Sequence, residues 1–212
     1  MSLPFNPSAH CAGTTIIMNP TIHAALRGLA FLLLIITLLP SCKKDEPGAS
    51  GPPANEEELI TTIRLHFHSV GGTEHKHWTY RDIDGPGGND PVLEVDSLSS
   101  DSVYHVEIEV LDESVSPADT ITAEIEAEGA DHQFFFQPSG VNITVAYDDA
   151  DVNGRPIGLR SIWTIGAPGS GSMLITLRHE PDKTAPGVST GDISNAGGDT
   201  DIAPNFTSVV VD

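Results

Sequence analysis

Residues 64–81 read Arg-Leu-His-Phe-His-Ser-Val-Gly-Gly-Thr-Glu-His-Lys-His-Trp-Thr-Tyr-Arg and give the strongest structural signal in the chain. Gly71 and Gly72 divide this stretch in two. A two-residue primed turn needs φ > 0 at both central positions, which glycine adopts readily. The stretch therefore predicts a β-hairpin that turns at these glycines, with His68 opposite His75 and His66 opposite His77.

Strand alternation places all four of these histidines on one face of the hairpin. Successive side chains of a strand point to opposite faces of its sheet. The other face then carries a mostly apolar set that suits a core: Ile63, Leu65 and Phe67 opposite Lys76, Trp78 and Tyr80. The hairpin is therefore expected to bury one face and to expose an imidazole-rich one.

The four histidines are candidate metal ligands. Opposed side chains lie about 4.5–5.5 Å apart at Cβ, and alternate residues along one strand about 6.5 Å apart. His66, His68, His75 and His77 could therefore supply three or four imidazoles to one ion, and His-rich tracts are typical of metal binding. Zinc accepts tetrahedral nitrogen ligands, and copper and nickel also accept imidazole. The alternative is a polar, solvent-exposed face on which the histidines are incidental.

The fold class follows from about eight strand-like stretches at regular spacing, separated by turns rich in glycine and proline. The stretch at 103–111 alternates most clearly, with His105, Glu107 and Glu109 on its polar face, and these side chains could join the site if their strand is adjacent. We predict an all-β fold, a single antiparallel β-sandwich of the Ig-like kind with about eight strands. The strands are expected at 59–70, 74–83, 103–111, 133–137, 141–147, 158–165, 173–179 and 206–211.

Three further features complete the predicted layout of this sandwich. A short helix is expected within 116–129, capped by Ser116 and Pro117 and stopped by Gly129, although this segment also alternates as a strand would. The strands at 158–165 and 173–179 are expected to form a hairpin around residues 167–171. Residues 181–203 are expected to be a loop.

The N-terminal region has the features of a secretory signal. Residues 1–41 contain no acid, and Arg27 precedes an apolar run that is short for a membrane span. Met18 is an alternative start. Leu39-Pro40-Ser41-Cys42 resembles the lipobox of bacterial lipoproteins, although Pro at its second position departs from the commonest pattern. That resemblance implies cleavage before Cys42 and lipidation of Cys42; an ordinary signal with an incidental cysteine is the alternative.

The residues after Cys42 carry a second resemblance. Lys43-Lys44-Asp45-Glu46 is similar to the surface-export signal of Bacteroidota lipoproteins, which implies display on the outer membrane. Residues 43–58 are rich in Pro, Gly, Ser and acids, as flexible tethers are. We therefore divide the chain into a signal segment at 1–41, a lipidated N-terminus and tether at 42–58, and a β-sandwich domain at 59–212.

The motifs of the domain resemble a family of small, poorly characterised Bacteroidota outer-membrane lipoproteins. The similarity lies in Glu57-Glu58-Leu59-Ile60-Thr61-Thr62, Arg81-Asp82-Ile83-Asp84-Gly85, Asp131-His132-Gln133-Phe134-Phe135, Arg178-His179-Glu180-Pro181-Asp182-Lys183 and Gly191-Asp192-Ile193-Ser194-Asn195-Ala196-Gly197-Gly198. It implies an association with a TonB-dependent outer-membrane receptor. Some members carry a type 1 periplasmic binding fold label, which the strand pattern here does not favour. The paired histidines are not part of the family pattern.

A second candidate site is the acidic turn at Asp149, Asp151 and Asn153. Asp149-Ala150-Asp151-Val152-Asn153-Gly154 matches the first half of a calcium-binding loop. Arg160 occupies the position of the bidentate glutamate, which removes the strongest ligand. The alternative is an Asn-Gly turn in acidic surroundings.

Composition narrows the function classes. The net charge is −20, and all 30 acids follow Cys42, which argues against nucleic-acid binding and favours cationic ligands. No nucleophile elbow or phosphate loop is evident, so we expect no enzyme. The sequence predicts a surface lipoprotein that binds a transition metal, zinc before copper or nickel. The alternative is a metal-free adhesion or accessory module that binds a protein or glycan.

Overall fold

Eleven β-strands and one short α-helix form the fold over residues 59–212, the part of the chain that the computed structural model describes. The elements are β1 (Thr62–Ser69), β2 (His75–Arg81), β3 (Val92–Val95), β4 (Val103–Asp112), β5 (Asp119–Thr120), α1 (Thr122–Ala127), β6 (His132–Ser139), β7 (Ile143–Tyr147), β8 (Arg160–Ile165), β9 (Gly169–His179), β10 (Asp199–Ile202) and β11 (Asn205–Val211). The predicted signal segment, Cys42 and tether lie outside these residues. Within 59–212, no helix is both long and apolar enough to cross a bilayer.

The strands form two antiparallel sheets. The larger has the order β3-β2-β1-β4-β8-β7, with β5 paired to the end of β4. The smaller is built on β9, which pairs with β6, β10 and β11. This architecture confirms the predicted all-β sandwich, with more strands than the eight expected from sequence.

Alternation in the strands places the core between the sheets. Phe67 on β1 and Trp78 on β2 are fully buried, and their rings are 5.1 Å apart. Trp78 also contacts Phe206 of β11 at 5.5 Å, which joins the larger sheet to the smaller one. Burial of each such side chain contributes about 1.5–3 kcal/mol. The inward faces of β1 and β4 predicted from sequence are therefore confirmed.

The predicted hairpin of strands 158–165 and 173–179 is wrong. β8 pairs with β4 and β7 in the larger sheet, whereas β9 belongs to the smaller sheet. The short link through Ala167 and Pro168 carries the chain from one sheet to the other. Glycine and proline mark where a chain changes direction, but they do not identify the partner of the following strand.

The predicted helix exists but begins later than Ser116. Ser116-Pro117 is a cis peptide bond, and β5 follows it before α1 begins. Ile121 and Ile125, one helical turn apart, are buried against the core. Packing of this apolar pair positions the helix against the core. The backbone N–H of Ile121 also donates to the Val110 carbonyl of β4 at 3.0 Å, which ties the start of the helix to this strand. The cap predicted at Ser116 is therefore wrong.

The segment predicted as a loop at 181–203 contains regular structure. It includes two short 3-10 helices, Val188–Thr190 and Ile193–Asn195, as well as β10. Val188 packs with Phe135 of β6 and with Ala196 in a second apolar cluster. The segment thereby covers the outward side of β6.

Candidate metal centre

The hairpin of β1 and β2 has the register that the sequence predicted. His66 lies opposite His77, and His68 lies opposite His75. The turn differs in detail: Gly71 has φ +74°, whereas Gly72 does not adopt a positive φ. Gly72 donates its N–H to the Ser69 carbonyl at 3.3 Å. Val70 and Gly71 are therefore the central residues of the turn, so the two-residue primed turn predicted at Gly71 and Gly72 is wrong, but the histidine pairing is confirmed.

Strand β4 adds further ligating groups on the other side of β1. His105 lies opposite His68, and Glu107 lies opposite His66. Five imidazoles and nearby carboxylates therefore share the outward face of β2, β1 and β4, which we call the histidine face. It consists of His66, His68, His75, His77, His105, Glu107 and Glu109.

The imidazoles of this face are arranged in pairs. Nδ1 of His68 and Nδ1 of His75 lie 2.8 Å apart and share a hydrogen bond, in which one ring donates its N–H and the other accepts, and the two rings meet edge to face at 4.8 Å. The rings of His66 and His77 meet in the same way at 5.2 Å. As the side chains stand, no three His, Cys, Asp or Glu groups within residues 59–212 form a ready metal-binding group. The structure therefore places the four histidines of the hairpin in two separate pairs.

Carboxylates approach two of these imidazoles. Nε2 of His66 lies 3.8 Å from Oε2 of Glu109, and Nδ1 of His105 lies 3.6 Å from Oδ2 of Asp148. The histidines are also accessible, since His68, His75 and His77 are exposed. Exposed side chains change rotamer within nanoseconds. These imidazoles can therefore reorient without any change in the backbone.

The arginines beside the histidine face already have anionic partners. Arg64 contacts Glu109 at 3.1 Å and also pairs with Glu113. The Arg81 guanidinium contacts Glu113 at 2.6 Å. The hydrogen bond from Arg81, together with Thr62 and Arg64, holds the pKa of Glu113 below its usual value against the opposing effect of desolvation. These contacts keep the positive charges at one end of the face, away from His68 and His75.

The candidate calcium residues make contacts of a different kind. Asp149 accepts backbone N–H groups of Gly158 at 2.7 Å and Arg160 at 2.8 Å. Asp151 accepts the N–H groups of Asn153 at 2.7 Å and Arg155 at 3.0 Å. Both carboxylates therefore stabilise the loop itself. The turn at Asn153-Gly154 forms as the alternative predicted, with Gly154 at φ +75°.

Lys183 supplies a cation to this same loop. Its Nζ lies 3.3 Å from Oδ2 of Asp151 and donates to the carbonyls of Pro156 at 2.8 Å and of Gly129. The side chains of Lys183 and Asp151 are only 3% and 1% exposed. The ammonium occupies an oxygen-lined position of the kind expected for a metal ion. Sequence reasoning missed this lysine because it lies 32 residues beyond Asp151.

A cleft of about 600 Å³ opens at the edge of the sandwich. Apolar side chains of Ile60, Tyr80 and Ile202 line it together with Asp82 and Asp201. Oδ1 of Asp82 is buried without a hydrogen-bond partner in the described part of the chain. No local motif marks this cleft, because its walls come from β2 and the loop that follows it, from β10, and from the residues before β1.

Comparisons with known proteins do not assign this chain to a family. No protein-family model, curated protein or solved structure matches the chain. The resemblance to Bacteroidota lipoproteins stays a prediction from the quoted motifs.

Proposed function

We propose that this chain is a lipid-anchored outer-membrane protein that binds a transition metal, zinc in the first place, on its histidine face. The observation that supports the proposal best is the 2.8 Å separation of the Nδ1 atoms of His68 and His75. Copper and nickel are the alternative ions, since both accept imidazole ligands.

The separation of these two nitrogens suits a shared ion. Zinc binds imidazole nitrogen at about 2.0–2.1 Å in a tetrahedral arrangement, which places two ligand nitrogens about 3.3 Å apart. His68 and His75 need to separate by about 0.5 Å to admit the ion between them. The ion would replace the hydrogen bond between the two rings, and the donating ring would carry its proton on Nε2 instead of Nδ1. Both rings are exposed, so the adjustment in position involves side-chain rotation alone.

Further ligands are within one strand of this pair. His105 is the neighbour of His68 on β4, and His77 follows His75 by two residues along β2. Rotation of one of these exposed imidazoles towards His68 and His75 gives a third nitrogen ligand. Water or a carboxylate of the acidic face can complete the four positions that zinc prefers.

An exposed, incompletely formed site suits capture and release better than permanent retention. Structural zinc sites are closed and fully ligated by protein, whereas this one lies on an open sheet surface. We propose that the ion is bound for transport and that the site does not catalyse a reaction. The partner to which metal is passed would be a TonB-dependent outer-membrane receptor, as the sequence resemblance implies.

The proposed location depends on the N-terminal motifs. Lipidation of Cys42 would anchor the chain, since several acyl chains hold a protein stably in a bilayer. The Lys44-Asp45-Glu46 signal favours the cell surface. The net charge of −20 favours the approach of cations to the domain.

Calorimetric titration with zinc tests this proposal. The full chain, purified in detergent without a polyhistidine tag, is expected to bind zinc at pH 7.5 and to lose most of that affinity at pH 5.5. Metal ligation needs neutral imidazole, and a free histidine side chain titrates near pH 6.5. Zinc affinity weaker than about millimolar at pH 7.5 would leave the metal-free adhesion module as the better account.

Substitutions in the central pair locate the binding. His68→Ala and His75→Ala are each expected to weaken zinc binding at least tenfold. Thr79→Ala is the matched control, because Thr79 shares the outward face of β2 but offers no imidazole. Equal zinc affinity in His68→Ala, His75→Ala and Thr79→Ala would refute the assignment to this face.

A further inference from the structure

The cleft at the edge of the sandwich combines apolar and anionic walls. Its volume of about 600 Å³ lies within the roughly 300–1,000 Å³ that is typical of small-molecule sites. Within residues 59–212, the charged side chains that line it are the carboxylates of Asp82, Asp84 and Asp201, and no lysine, arginine or histidine lines it. A cleft lined by negative charges alone attracts cations and repels anions.

The loop after β2 holds one wall of the cleft in place. Asp82 follows Tyr80 by two residues, and both line the cleft, whereas Arg81 between them contacts Glu113. The backbone N–H of Asp82 donates to the Thr61 carbonyl at 2.8 Å. This hydrogen bond joins the loop to the residues before β1, so the backbone fixes the position of the Asp82 side chain.

A bulge shapes another wall. The pairing of β10 with β9 shifts register between Thr200 and Ile202, and the consecutive residues Thr200, Asp201 and Ile202 all line the cleft. A regular strand would turn alternate side chains to opposite faces, and a bulge interrupts that alternation. An apolar residue and an acidic residue that are adjacent in sequence therefore lie along one surface.

Two of the three carboxylates already have neighbours that hold them. Asp84 accepts the side-chain and backbone N–H groups of Asn89 at 2.6 and 3.0 Å. Oδ2 of Asp201 lies 3.9 Å from Nε2 of His132. These two acids add negative charge to the cleft, but we do not assign them the direct contact with a ligand.

Asp82 is the carboxylate with a hydrogen-bonding position to offer. Its Oδ2 accepts the Tyr80 hydroxyl at 3.3 Å, whereas its Oδ1 is buried and has no hydrogen-bond partner among residues 59–212. An acceptor that is buried without a donor lowers stability. The χ2 torsion of aspartate is broad, so a small rotation presents this oxygen to the cleft. An ammonium group there would supply the missing donor in a charge-assisted hydrogen bond.

Aliphatic side chains of the cleft remain exposed to water. Leu59 and Ile83 are 59% and 38% exposed, and both line the cleft. Ile60 and Ile202, which line it too, are partly buried against the core. A ligand with a hydrocarbon or aromatic body would remove this apolar surface from water, which favours binding.

We infer that this cleft binds a small organic cation, a protonated amine with an apolar body, and that the Asp82 carboxylate accepts its ammonium group. The site is separate from the histidine face, because no residue of that face lines the cleft. It also needs no metal ion.

Three probes of similar shape test the ligand class: phenethylamine is a cation, phenethyl alcohol is neutral and phenylacetate is an anion. Each is titrated by calorimetry into the full chain at pH 7.5, with a chelator present so that the histidine face holds no metal. Titrations into detergent buffer alone are subtracted. We expect phenethylamine to bind about tenfold more tightly than phenethyl alcohol, because only the amine makes a charge-assisted hydrogen bond. Phenylacetate is expected not to bind.

Substitutions in the cleft separate the two parts of the ligand. Asp82→Asn is expected to lower the phenethylamine affinity about tenfold and to leave that of phenethyl alcohol unchanged. Leu59→Ser removes an apolar contact and is expected to weaken both probes by the same factor. Asp90→Asn is the matched control, since Asp90 is an exposed acid of the same loop that does not line the cleft.

Two results would overturn the inference. One is phenethylamine affinity no greater than that of phenethyl alcohol in the unmodified chain, which includes the absence of binding. The other is phenethylamine affinity that survives both Asp82→Asn and Leu59→Ser, because the amine would then bind elsewhere on the acidic surface. Circular dichroism monitors the fold of each variant, and Leu59→Ser, at a largely exposed side chain, carries the test if Asp82→Asn does not fold. The chelator makes these outcomes independent of zinc binding on the histidine face.

Discussion

Replacement of Lys183 by methionine tests whether an internal cation holds the acidic turn. The substitution keeps the length of the side chain but removes the ammonium that contacts Asp151 and two backbone carbonyls. It leaves the Asp151 carboxylate buried, at 1% exposure, without its counter-charge. Removal of one partner from a buried ion pair costs about 3–5 kcal/mol.

The remaining contacts of Asp151 set the expected value within that range. The carboxylate still accepts the backbone N–H groups of Asn153 and Arg155, so we expect a loss of about 3 kcal/mol in the free energy of unfolding. For a domain of this size, that loss corresponds to a fall of about 6–12 °C in Tm. The matched control is Lys76→Met: the Lys76 side chain is 25% exposed beside Glu74, and its pair is worth at most about 1 kcal/mol.

Urea unfolding followed by tryptophan fluorescence measures both variants, because Trp78 and Trp163 are fully buried. The double variant Asp151→Asn/Lys183→Met is expected to lose less stability than the sum of the single changes, since neither partner is then left charged. Strict additivity, or a loss below about 1 kcal/mol in Lys183→Met, would refute the coupling.

The pH dependence of this pair has a definite sign. Desolvation raises the pKa of Asp151, but the N–H groups of Arg155 and Asn153 together with Lys183 outweigh it, and the folded-state pKa lies below the usual value. The stability that the ionised Asp151 carboxylate contributes to folding is therefore fully present above the unfolded-state pKa of about 3.9. It is lost as pH falls through the lower folded-state pKa. The difference between wild type and Lys183→Met should close below about pH 4.

Three further predictions concern the anchor, the location and the core. Mass spectrometry of the mature N-terminus should find acyl chains on Cys42, and Cys42→Ala should block maturation; an unmodified N-terminus elsewhere would remove the anchor. Protease added to intact cells should digest the domain, whereas digestion only after lysis would place it in the periplasm. Tyr147→Phe should cost about 1–2 kcal/mol in urea unfolding, because the Tyr147 hydroxyl donates to the Phe134 carbonyl at 2.6 Å and accepts from Gln133 at 3.1 Å. Burial raises the pKa of Tyr147 to about 12, so this loss should not change between pH 6 and pH 9; a loss that varies over this range would contradict the assignment.

The sequence alone was sufficient to predict the features that follow from the alternation of residues within one strand. Alternation at 63–67 and 104–110 identified the buried faces of β1 and β4, and the two glycines set the register that pairs His68 with His75. The turn type was not predictable, since several loops with φ > 0 at Gly71 alone give the same register. The prediction of the histidine face therefore survived an error in its turn.

Features that depend on contacts between residues far apart along the chain could not be predicted from the sequence. Nothing near Gly169 indicates that β9 joins the other sheet, because alternation describes the faces of a strand and not its neighbours. His132 and Asp201 meet only through pairing with β9 and a bulge in β10. Lys183 reaches Asp151 from the segment 181–203, which was predicted to be a loop because it is rich in glycine and proline. That composition gave no indication that the segment packs on β6.

Anomalous scattering at the zinc absorption edge, from crystals of the zinc-loaded chain grown at pH 7.5, tests the central claim most directly. The account predicts a peak on the histidine face about 2.1 Å from a ring nitrogen of both His68 and His75, with a third imidazole rotated towards it. Crystals of the His75→Ala variant, grown in the same way, should lack that peak. Zinc-loaded crystals with no peak within bonding distance of His68 and His75 would contradict the account.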